Sequence, residues 1–68
     1  MNTTDEFVIL RAKRKPGGNY ILLCHLPQNN ATPWVTWYSH DITGSQRMNG
    51  NYFYEDEEAD ARTDFEER

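Results

Sequence analysis

The chain has one cysteine, Cys24, so its own residues make no internal disulfide. A lone thiol fits a reducing cytoplasm, which is the expected location. No Cys/His set has the spacing of a structural zinc site, so no metal is expected. Long apolar runs are missing too. The longest are four or five residues, against about 20 for a membrane helix. Met1 is followed by "NTTDE", without the basic start and apolar stretch of a secretory leader. The sequons at Asn2 and Asn30 therefore carry no weight. No catalytic motif stands out, so neither an enzyme nor a cofactor is expected.

Length sets the next limit. Sixty-eight residues make one domain, 1–68, with a small core. With no disulfide or metal, its stability must come from dense packing or self-association. Aromatic residues, 13% of the chain, supply large buried areas in few positions.

Charge is unevenly placed. The net charge is −4, and eight of the eleven carboxylates lie between Glu55 and Arg68. Arg11, Lys13, Arg14 and Lys15 form a basic cluster near the other end.

The pattern predicts an α+β fold: a four-stranded antiparallel β-meander over 6–54, then one acidic C-terminal α-helix over 56–67 packed on one sheet face, ββββα. Residues 1–5 read as a flexible N-terminus. "EFVILRAKRK" is the first strand, buried on both faces at its start. "KPGGNY" is a hairpin turn, in which Pro16 presets one dihedral and Gly17 and Gly18 tolerate positive φ. "YILLCHL" follows as the second strand, and "PQNNATP" is a loop. "WVTWYSH" alternates, with Val35 and Trp37 facing one way and Trp34, Thr36 and Tyr38 the other. "DITGSQ" is a turn with Gly44 at its tip, closed on the backbone by Asp41. "RMNGNYFY" is the fourth strand, where Gly50 signals a bulge or a close approach.

In the last segment Asp56 reads as the helix cap, with Glu57 and Glu58 in the first turn. Glu58 with Arg62 and Asp64 with Arg68 are favourable i,i+4 pairs. Ala61 and Phe65 share the one apolar stripe, so Phe65 is the anchor, against residues such as Trp37 or Phe53. Asp56, Asp60 and Glu67 point outward, flanked by Asp64 and Glu57. A spaced carboxylate array of this kind presents a docking face for a protein partner, or stands in for the phosphates that a nucleic-acid-binding protein would hold. A solvated face serving solubility explains the same charges.

The aromatic residues suggest a second surface. With Trp37 and Phe53 in the core beneath the helix, Trp34, Tyr38, Tyr52 and Tyr54 would lie on the opposite face. One helix cannot cover both faces, so an exposed aromatic face implies a protein partner or a homodimer. A sheet that curls enough to bury both sides is the alternative.

Three weaker features complete the reading. The Arg11–Lys15 cluster has the ingredients of a single-strand nucleic-acid binder. Net negative charge and an incomplete stacking motif favour a soluble strand edge. A third reading is intramolecular, with the cluster attracting the acidic helix. Cys24 and His25 are neighbours in a strand and point to opposite faces, so they form no nucleophile pair. His40 belongs to turn chemistry.

The residues Pro33 to Trp37, Gly44, Gly50 to Phe53 and Asp64 to Arg68 carry a resemblance. A Pro-aromatic-Val-Thr-Trp strand, a Gly turn, a Gly-x-Tyr-Phe segment and a closing Asp-Phe-Glu-x-Arg helix resemble small uncharacterised proteins of bacterial phages and mobile elements. The similarity covers about the last forty residues of this chain. It departs at "MNGNYFY", where those proteins often carry a Trp-Gly-His-Tyr-Phe run. The resemblance implies a small accessory protein that binds and inhibits a host factor, and it transfers no catalytic residue.

Overall fold

The computed structural model of the chain describes residues 6–68. The flexible N-terminus expected over 1–5 lies outside the described residues. Four strands form one open antiparallel sheet in sequential order: β1 (Val8–Arg14), β2 (Tyr20–His25), β3 (Trp34–Ser39) and β4 (Arg47–Phe53). A 3₁₀ turn, Glu55–Glu57, leads into α1 (Glu58–Glu67), which lies against the sheet. The fold is the expected ββββα.

Local chemistry places each turn. Gly18 adopts φ 93°, and its N–H donates to the Lys15 carbonyl at 2.9 Å, closing the β1–β2 hairpin. Asp41 organises the β3–β4 connection. Its carboxylate accepts from the hydroxyls of Ser39 (3.0 Å), Thr43 and Ser45 (2.7 Å) and from the Gln46 N–H (3.2 Å). These donors hold the carboxyl well below the usual carboxylate range, the Thr43 hydroxyl contributing most. Gly44 lies in the middle of this turn. It is buried at φ 81°, where a Cβ would sit 3.1 Å from the Phe7 ring.

Both outer strands carry a bulge. Leu10 is the extra residue of β1, between the pairs Ile9–Cys24 and Arg11–Leu23. In β4 the residues Asn49 and Gly50 oppose the single residue Trp37, with Asn49 at φ 55°. A Cβ at Gly50 would lie 2.5 Å from Trp37 Nε1, so this glycine serves both a bulge and a close approach.

The sheet has a core on each side. On the helix side, Ile21, Leu23, Ala61 and Phe65 are buried, with Trp34, Tyr38 and Phe53 packed around them. On the other side lie Leu22, Cys24, Val35 and Trp37, backed by Phe7, Ile9, Tyr20 and Leu26.

Three expectations are corrected here. Trp37 is not beneath the helix; Trp34 and Tyr38 are, together with Phe53. The second face is not an open aromatic surface, because Phe7, Gly44 and Leu26 close over much of it. The start of β1 is not buried on both faces, since Val8 and Leu10 are exposed on an outer strand. Which side the helix covers is a tertiary outcome that strand alternation does not encode.

Candidate functional site

The acidic helix is held at its start, middle and end. At its start, the Tyr54 N–H donates to Glu57 Oε1 (2.8 Å), and Trp34 Nε1–H donates to the Glu55 carbonyl (3.0 Å). The cap is therefore built by Tyr54 and Glu57. Asp56 sits inside the 3₁₀ turn and is not the cap expected from the sequence.

In the middle, Phe65 is 2% exposed. The Arg11 guanidinium and Lys13 ammonium lie 5.4 and 5.0 Å from its ring centre. Beside it, Asp64 turns inward. Its Oδ2 accepts from the buried Thr36 hydroxyl (2.5 Å) and from Asn51 Nδ2 (3.1 Å).

At the end, Lys13 Nζ donates to the Glu66 carbonyl (2.8 Å) and Lys15 Nζ to that of Arg68 (2.6 Å). Both cations meet the negative end of the helix dipole and its unpaired carbonyls. Arg11 adds an exposed ion pair with Glu66 at 3.4 Å. Arg68 Nη1 donates back to the Thr36 carbonyl (3.0 Å) and hydroxyl (3.1 Å).

The intramolecular reading of the basic cluster therefore accounts for Arg11, Lys13 and Lys15. Of the two expected i,i+4 pairs, Glu58–Arg62 forms at 2.9 Å. Asp64 and Arg68 instead meet through Thr36. Sequence reasoning missed this polar joint. Its signal was present: Asp64 and Arg68 stand three and seven residues after Ala61, beside the apolar stripe.

The expected site residues consequently divide. Asp56, Asp60 and Glu67 are exposed on the helix and its leading turn, while Asp64 is spent on the sheet. Trp34 and Tyr38 are half-buried on the helix side, Tyr38 accepting from Asn19 Nδ2 at 2.8 Å. Tyr52 lies on the opposite side, its ring edge-on to Trp37 at 6.2 Å, and Tyr54 is exposed just before the 3₁₀ turn. The four rings do not share a surface.

A groove of about 790 Å³ opens on the helix-free side, between Trp37, Arg47, Tyr52 and the loop from Gln28 to Ala31, with Glu6, Leu26 and Ser45 completing it. Arg47 is fixed there. Its guanidinium lies 4.4 Å from the Phe7 ring centre and 4.7 Å from that of Trp37, and Nη1 donates to the Gly44 carbonyl at 2.8 Å. The neighbouring Cys24 is buried, and burial pushes its thiol up to about 12 against the milder opposing effect of Arg47. His25 packs on Trp34 at 4.7 Å, and His40 Nδ1 hydrogen-bonds Asn19 Oδ1 at 2.8 Å.

Among the described residues no group of three or more His, Cys, Asp or Glu could hold a metal ion, and no helix is long and apolar enough to cross a membrane. No family model matches the chain, and neither the curated proteins nor the solved structures contain a match.

Proposed function

We propose that the chain is a small non-enzymatic binding protein whose helix exterior docks on a basic protein surface. The observation that carries this reading is the fixing of α1 along its length, with Asp56, Asp60 and Glu67 left exposed. A carboxylate array loses little conformational freedom on binding when its scaffold is already rigid. Its field also favours encounter with a positive partner. A surface of lysine and arginine that ordinarily holds phosphates matches this chemistry. The partner class is then a host nucleic-acid-handling or defence complex, which the chain would inhibit by occupying the side chains that hold phosphates. Tyr54, exposed beside the 3₁₀ turn, adds an aromatic contact at the edge of this surface.

An arginine-rich peptide serves as the probe, followed by fluorescence anisotropy. The triple variant Asp56→Asn, Asp60→Asn, Glu67→Gln is expected to stay folded, with a small loss from the first-turn acids Asp56 and Asp60, and to lose binding by about tenfold or more. Equal binding by the native and triple-variant proteins at low salt would remove this reading.

A further inference from the structure

The groove on the helix-free side is independent of the acidic exterior, and its chemistry differs. Arg47 is held by two rings and one carbonyl, and neither ion pair among the described residues includes it. A guanidinium carries five N–H donors in a planar fork that suits carboxylate or phosphate. Tyr52 offers a half-exposed ring held against Trp37. The loop supplies the amides of Gln28, Asn29 and Asn30. Asn29 Oδ1 is occupied by the N–H groups of Ala31 (3.1 Å) and Thr32 (2.9 Å).

We propose that this groove binds a single nucleotide unit, with its phosphate on Arg47, its base on Tyr52 and the loop amides on the base edge. The volume lies within the range of small-molecule sites. A nucleotide uses all three kinds of group. An aromatic carboxylate would engage Arg47 and Tyr52 but make no use of the loop amides, so it should bind more weakly. A neutral sugar would leave the guanidinium unmatched. Glu6 lines the same groove and accepts from Gln28 Nε2 at 3.3 Å. One cation beside one carboxylate makes no track for a run of phosphates, so the ligand is one unit and not a strand lying along the sheet.

The test titrates the full chain with each nucleoside monophosphate, following backbone amide shifts by NMR. Saturable shifts are expected at Tyr52, Arg47 and Asn30. Binding should weaken about tenfold when the phosphate is removed, and similarly in Tyr52→Ala. Arg47→Lys keeps the charge but not the fork and should also bind more weakly, with a native-like spectrum showing that it folds. A short oligonucleotide with a terminal phosphate separates the two sources of this chemistry. Shifts at the same residues with equal affinity make a strand end an equally good ligand, while its exclusion makes the free nucleotide the ligand. The proposal is overturned by the lack of saturable shifts up to about 10 mM, by benzoate binding as tightly, or by Tyr52→Ala binding like the native protein.

Discussion

Single residues decide where this sheet bends and what it can react with. A Cβ at Gly50 would sit 2.5 Å from Trp37 Nε1, whereas one at Gly17 meets nothing closer than 4.0 Å. Gly50→Ala should therefore cost about 1–3 kcal/mol in urea unfolding and shift Trp37 fluorescence, with Gly17→Ala near neutral as its control. Cys24 is protected by burial. With its pKa raised to about 12 in the folded chain, alkylation near pH 9 should follow unfolding events and speed up in denaturant. The sign follows from linkage: the raised folded value means that the thiol's contribution is complete below its ordinary pKa and is lost as pH rises above it. Asp41 behaves in the opposite sense. Its folded pKa is depressed, so its contribution is complete above the ordinary carboxylate range and is lost on acidification through and below it. Asp41→Asn should therefore show a smaller fall in melting temperature than the native chain between about pH 5 and about pH 2.

At the scale of elements, α1 depends on what it touches. Only Ala61 and Phe65 are buried along its ten residues, and a helix so short is marginal alone in water. Thr36 joins β3 to Asp64 and Arg68, so Thr36→Val should cost about 1–2 kcal/mol by removing both hydroxyl bonds, while Asp64 keeps Asn51 and Arg68 keeps the backbone carbonyl at position 36. Circular dichroism during thermal unfolding would follow the loss. Much of this element structure was legible in the sequence. The Pro-Gly-Gly hairpin, the alternation of "WVTWYS", the bulge at Gly50 and the Glu58–Arg62 pair all follow from local spacing. The helix cap was not legible, because Tyr54 and Glu57 form it through a 3₁₀ turn that leaves Asp56 inside. Asp64 was read as part of the outer array because its partners, Thr36 and Asn51, lie on other strands. The choice of sheet face was equally hidden, since alternation separates Trp34 from Trp37 without saying which of them the helix covers.

The whole molecule is a sheet with two cores, and this changes what its surface can do. Phe7, Gly44 and Leu26 fold over the side that a simple meander would leave bare. What remains there is a groove with aromatic and polar walls, a feature that needed the N-terminal segment and two distant loops to meet. Both outer strands carry bulges, which discourages pairing between edges of separate chains. On the helix side, cations from β1 and its turn meet the C-terminal carbonyls, so the charge asymmetry of the sequence becomes an internal clasp. The acids beyond that clasp form the proposed docking face, and they can act as a fixed array only while the clasp and Phe65 keep α1 on the sheet. Phe65→Ala, expected to cost about 3–5 kcal/mol, should abolish peptide binding together with the fold. The most direct measurement is amide hydrogen exchange on the native chain across residues 61–67. Protection comparable to that of β2 and β3 is predicted; exchange at the rate of an unstructured peptide, with the sheet still protected, would contradict the account.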